Sequence, residues 1–114
     1  MLRKARGTFS KLPEVEEKID GFGHSIAQVR GKTFLMMGEG EGEAGPGMSI
    51  KTDKETQQLL VAKGGYYKTP YIGQHGWVSV KASQIRDWDE VSQLIIEAYL
   101  RQAPKKLSQL YLQT

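Results

Sequence analysis

The 114 residues predict a single α+β domain, an antiparallel sheet with helices packed on it. Three features carry that expectation. Apolar-rich strand segments at 24–30, 33–37 and 48–51 follow one another with no helical pattern between them, so short links pair them antiparallel. Two helical patterns come later, after Thr52 and after Asp87, on either side of the alternating segment Trp77-Val-Ser-Val-Lys. The length suits one domain covering residues 1–114, with 39% hydrophobic and 25% charged residues, as in ordinary globular chains. A doubly wound sheet would need a crossover helix between most of its strands, and the pattern holds none.

Residues 1–11 carry Arg3, Lys4, Arg6 and Lys11, while Gly7 and Thr8 weaken a helix, so this stretch reads as an arm or a short helix. Leu12 to Ile19 reads as a helical turn, with Pro13 at a first helical position and Glu14, Glu16 and Glu17 near its N-terminus. Apolar runs on both sides of Arg30-Gly31-Lys32 predict a β-hairpin. Five of the ten residues from Gly38 to Gly47 are glycine and one is proline, a loop composition. Met48 to Lys51 then forms a third strand.

Thr52 and Glu55 have capping-box spacing, which predicts a helix over 53–62 that stops at Gly64-Gly65. Pro70 keeps 66–73 extended or irregular. Trp77 opens the next strand and is expected to anchor the core against Val91, Ile95 or Tyr99. Asp87 and Glu90 repeat the capping spacing, and Trp88, Val91, Ile95, Ala98 and Tyr99 share one helical face with Leu94 beside it. That helix ends before Pro104, and 105–112 forms a last short helix.

The absence of cysteine excludes disulfides, thiolate metal sites and cysteine nucleophiles, and fits a reducing cytoplasm. The longest apolar run, Phe34 to Met37, is far short of the ~20 residues of a membrane helix. No apolar segment follows the basic N-terminus to make a secretory signal. Sixteen basic residues against thirteen acidic ones give a net charge of +3. The acids cluster at Glu14, Glu16, Glu17 and Asp20 and again at Glu39, Glu41 and Glu43.

Candidate chemistry is sparse. Glu39, Glu41 and Glu43 offer three alternate carboxylates, yet the intervening glycines remove the rigidity a metal site needs, and a solvated loop is the expectation. His24 and His75 have no partner at metal-ligand spacing. The glycine repeat is followed by a strand and lacks a Gly-Lys-Ser/Thr ending, so it is no phosphate loop. No nucleophile elbow occurs, and Asp87 and Asp89 are explained by helix capping. Tyr66, Tyr67, Tyr71 and Trp77, interleaved with Lys68, His75 and Lys81, combine aromatic faces with cations as base stacking and phosphate pairing require. Core packing of these rings is the competing expectation.

Five motifs occur in order: Leu12-Pro-Glu-Val-Glu-Glu, Val29-Arg-Gly-Lys-Thr-Phe, Ser49-Ile-Lys51, Tyr71-Ile-Gly-Gln-His-Gly-Trp-Val-Ser-Val and Asp87-Trp-Asp-Glu-Val. Together they resemble the MmcQ/YjbR family, small bacterial proteins usually labelled predicted DNA-binding. Family members usually carry a longer helix before the first motif than the eleven residues here. The resemblance implies an α+β domain related in shape to secretion chaperones, in the bacterial cytoplasm. It also motivates a non-enzymatic domain binding DNA through Arg30, Lys32, Lys51, Lys68 and Lys81, with Tyr71 and His75 nearby. The alternative is a small protein-interaction or chaperone-like adaptor that holds a protein partner on its sheet face or edge. No cofactor, metal or membrane is expected, and a monomer is.

Overall fold

In the computed structural model, residues 2–21, 23–38 and 46–112 are described. The sheet is organised by the turn at Arg30-Gly31. Both residues have positive φ, 50° and 81°, and Val29 pairs with Lys32, so the link is the two-residue turn whose twist matches its strands. It joins β2 (Ser25–Val29) to β3 (Lys32–Gly38). The third strand, β4 (Gly47–Lys51), returns antiparallel to β3, and its first residue, Gly47, pairs with Gly38. Glu39, Glu41 and Glu43 lie outside the described residues. With β1 (Val15–Ile19), β5 (Tyr66–Lys68) and β6 (Trp77–Lys81), the sheet has six antiparallel strands in the order β1-β2-β3-β4-β6-β5.

The first strand corrects an expectation. Residues Val15–Ile19 form edge strand β1, paired with β2, where a helical turn was expected. Pro13 holds Leu12 out of the α region, Glu14 takes φ of 59°, and Val15 and Ile19 are β-branched. Ahead of it, α1 (Leu2–Phe9) is the short helix, with Ala5 and Phe9 in the core.

Helices α3 (Trp88–Gln102) and α4 (Lys105–Leu112) follow the sheet, and α2 (Lys54–Lys63) lies between β4 and β5. The core joins Leu35, Met37, Ile50, Val78 and Val80 of one sheet face to Val91, Ile95, Ala98 and Tyr99 of α3. Tyr99 is fully buried with its ring edge-on to Phe34, and its hydroxyl donates to the Pro13 carbonyl at 2.9 Å.

Two capping expectations change in detail. The N-cap of α2 is Asp53, whose carboxylate accepts from the Thr56 N–H at 2.7 Å. Thr52 is buried, and its hydroxyl donates to the carbonyl of Gly76. A buried hydroxyl takes the partner that replaces its lost water, and the exposed aspartate is left to cap. Asp87 does cap α3, accepting from Asp89 N–H, while Glu90 turns away to Lys63 and Tyr66. Among the described residues no helix is long and apolar enough to cross a membrane.

Candidate functional site

Each strand of a sheet sends alternate side chains to opposite faces. On the face away from the core, the registers align Ile26, Met36, Ser49, Ser79 and Tyr67 in one row across five strands. The two serines are small, so the row sinks between Met36 and Tyr67. Above the depression passes the connection from β5 to β6. The result is a groove of about 540 Å³, lined by Met36, Ser49, Tyr67, Thr69, Pro70, Tyr71 and Ile72, with Asp20, His24 and Lys81 at its rim.

Hydroxyls tie the floor together. Ser49 and Ser79 share a hydrogen bond of 2.7 Å, and Ser79 and Thr69 one of 2.8 Å. The overlying connection is pinned at its far end. The amide of buried Gln57 donates to the carbonyls of Gly73 and Trp77 at 2.7 and 2.8 Å. Gly76 takes φ of 92° and its carbonyl receives Thr52. Residues Gly73–His75 form a single 3₁₀ turn between these anchors.

Tyr71 stands out. It is 96% exposed and holds φ of 67°, a left-handed conformation that bulky side chains avoid. Tyr67 is about half exposed, and of these three tyrosines Tyr66 packs, partly buried, against the core. Trp77 departs from its expected role. It is only 8% exposed, yet it sits outside the hydrophobic cluster, on the groove side of β6, with the Lys51 ammonium 6.0 Å from its ring centre. Val78 and Val80 took the core positions, because helix α3 covers only one face and the alternation admits one pair to it.

The seven residues expected to bind nucleic acid separate into groups. Arg30, Lys32, Lys51, Lys68 and His75 gather at one end of the sheet by register, but on different faces and loops. Arg30 is held by Glu14 through two bonds of 2.8 and 3.0 Å, and the pairing keeps the Glu14 carboxyl below its usual range. Lys51 donates to the His75 carbonyl. The His75 ring is exposed, with Gln74 at 3.5 Å. Lys81 and Tyr71 lie apart from these, both along the groove.

Sequence reasoning missed Met36, Ser49, Ser79, Thr69, Ile72 and His24 as groove residues. The signal was present as period-two alternation in β3, β4 and β6, but only the strand order brings Met36 and Tyr67 to opposite sides of one trough.

A smaller cavity of about 260 Å³ lies between the end of α2 and the start of α3. Its polar centre is internally satisfied: the Tyr66 hydroxyl donates to Glu90 at 2.9 Å and Lys63 pairs with the same carboxylate. Burial first, then the hydrogen bond to Glu90 and its charge, hold the Tyr66 phenol well above its ordinary pKa, while the Lys63 hydrogen bond lowers that of Glu90.

A six-stranded antiparallel sheet with its core helices on one face and, among the described residues, a groove on the other defines a small α+β domain. The sequence model of the YjbR family matches residues 10–101, and the chain belongs to that family. Among solved structures it is similar to the crystal structure of Deinococcus radiodurans protein DR2400, which carries the DUF419 domain. The TM-score is 0.74 at 16% identity, over 89% of this chain and 77% of that one, a likeness that shows the fold. No curated protein matches the chain.

Proposed function

We propose that the domain is a non-enzymatic binding module whose groove holds an extended segment of a partner protein. The observation that carries this reading is Tyr71, an aromatic ring almost wholly in water on a strained backbone at the groove wall. Strain of this kind persists where the surrounding structure imposes it, and it concentrates at sites that contact ligands. Tyrosine is also a favoured interface anchor, giving large contact area at small entropy cost. Met36, Pro70 and Ile72 add adaptable apolar surface, and the exposed parts of Ser49 and Thr69 add hydrogen-bonding atoms along an extended chain. The groove volume falls within the range of about 300–1,000 Å³ typical of ligand sites. Against an enzyme stands the setting of His75, exposed beside Gln74, with no carboxylate or nucleophile among the described residues hydrogen-bonded to its ring.

Affinity capture from a bacterial lysate, run with and without nuclease on wild type and on Tyr71→Gly, tests the reading. Glycine suits a left-handed residue, so the variant should fold with stability within about 1 kcal/mol of wild type, the relief of strain offsetting its greater unfolded entropy. A nuclease-resistant protein partner lost with Tyr71→Gly is the expected result. Equal capture by both proteins removes the groove from the account.

Nucleic-acid binding is the second reading, favoured by the gathering of Arg30, Lys32, Lys51, Lys68 and His75 at one end of the sheet. Its test is fluorescence anisotropy on a labelled duplex and single strand. Binding through Arg30, Lys32, Lys51 and Lys68 falls steeply with salt, and a dissociation constant weaker than ~100 μM at low salt discards it.

A further inference from the structure

Among the described residues, no strand lies beside the outer edge of β1. In an antiparallel ladder, a residue's N–H and C=O point to the same side and alternate along the strand. Asp20 N–H donates to the His24 carbonyl at 2.9 Å, in continuation of the β1–β2 register. Lys18 and Glu16 therefore bond inward to β2, and Val15, Glu17 and Ile19 direct their backbone groups outward. Ile19 is 67% exposed. Five residues carry this edge: Val15, Glu16, Glu17, Lys18 and Ile19.

We infer that this edge pairs with the same edge of a second copy, antiparallel and centred on Glu17, to make a two-fold dimer with a continuous twelve-stranded sheet. The strand is self-complementary about that centre. Glu16 falls opposite Lys18 of the second copy, and Lys18 opposite its Glu16. Val15 falls opposite Ile19, and Ile19 opposite Val15. The hydrogen-bond phase agrees independently. The pairs 15–19, 17–17 and 19–15 are those whose backbone groups face outward, and each exchanges two bonds, six in all. The Glu–Lys pairs occupy the non-hydrogen-bonded positions, where facing side chains approach most closely, about 4.5 Å between Cα atoms.

The one like-charge pair is Glu17 against its own copy. Each Glu17 carboxylate already accepts two bonds from Arg6 in α1, at 2.7 and 2.6 Å, so each centre arrives neutralised. Charged edge strands ordinarily repel a neighbour. Here Glu16 and Lys18 alternate in sign and would instead select a copy of themselves in a single register. A two-fold axis at Glu17 perpendicular to the sheet leaves both grooves on the same side of the dimer, so a partner with two segments could engage both. An edge contact alone is small, so the association belongs to the weak, concentration-dependent class.

Sedimentation of wild type, Glu16→Lys, Lys18→Glu and an equal mixture of the two variants is the test. Wild type should rise from the 12.8 kDa monomer toward twice that mass as concentration climbs to about 1 mM. Each single variant places like charges opposite each other twice, and its dimer dissociation constant should rise about tenfold or more. The mixture sets lysines against glutamates and should restore dimer to the wild-type level. Both side chains are well exposed, 69% for Glu16 and 55% for Lys18, and restoration in the mixture itself requires folded chains. Monomeric wild type at 1 mM overturns the inference. So does a single variant that dimerises like wild type, which would put the contact elsewhere, and so does a mixture that stays monomeric.

Discussion

Replacing Gly76 with alanine should destabilise the domain by about 2–4 kcal/mol, while the same change at Gly73, three residues earlier, should cost less than about 1 kcal/mol. The magnitudes come from what an added methyl group meets. At Gly76, φ is 92°, and a left-handed backbone costs a side-chain-bearing residue roughly 1–2 kcal/mol. The new Cβ would also lie 2.3 Å from the carbonyl oxygen of Thr52 and 3.0 Å from its carbon. Those are backbone atoms at the start of α2 and cannot rotate away. Relieving the overlap separates Gly76 from Thr52, whose N–H and hydroxyl both donate to the Gly76 carbonyl. Overpacking of this kind costs about 1–3 kcal/mol. The alanine gains back about 0.4–1 kcal/mol from a less disordered unfolded chain. At Gly73 the added methyl meets Lys68 Cγ at 2.4 Å, but that is the stem of an exposed lysine that can swing aside, and φ is ordinary. Urea denaturation of both variants at matched slope gives the two values. Equal losses, or less than about 1 kcal/mol at Gly76, would show that the Thr52–Gly76 contact does not hold the 69–77 connection in place.

Trp77→Ala should cost about 1–3 kcal/mol in the same assay, below the range of about 3–5 for aromatic truncations in a core, because the ring lies outside the cluster around Tyr99; a loss above about 4 kcal/mol would return Trp77 to the core. Tyr99→Phe should cost about 1 kcal/mol by removing the hydrogen bond to Pro13, read as a shift in denaturation midpoint, and no change would mean that water replaces it. The Tyr66 phenol keeps its proton to higher pH in the folded state than the ordinary value of 10, so its contribution is full below pH 10 and is lost as pH rises through the folded value. Stability of Tyr66→Phe should therefore fall less steeply than that of wild type above pH 10, and parallel curves would place the tyrosine's pKa near its unfolded value.

What the sequence determined by itself was mostly local. The β2–β3 hairpin follows from Arg30-Gly31, the stop of α2 from Gly64, and the face of α3 from the spacing of Val91, Ile95, Ala98 and Tyr99. These are decided within a turn or two of chain, by backbone sterics and apolar period, and so are legible one-dimensionally. The ordered motifs were also enough to mark the family. Long-range pairing decided the rest. Within the expected helical turn at 12–19, Val15 to Ile19 became a strand because β2 offered an edge to pair with, a choice that local helix signals at Pro13 and the glutamates do not contain. Thr52 lost the capping role to Asp53 because Gly76, twenty-four residues later, arrived with a carbonyl to satisfy. Trp77 and Val78 alternate equally well either way, and only the placement of α3 on one face of the sheet put the valines in the core and the tryptophan opposite. The groove is the extreme case. Its lining draws on β3, β4, β5 and β6, and residues that distant in sequence become neighbours only through strand order and register, which tertiary packing alone fixes.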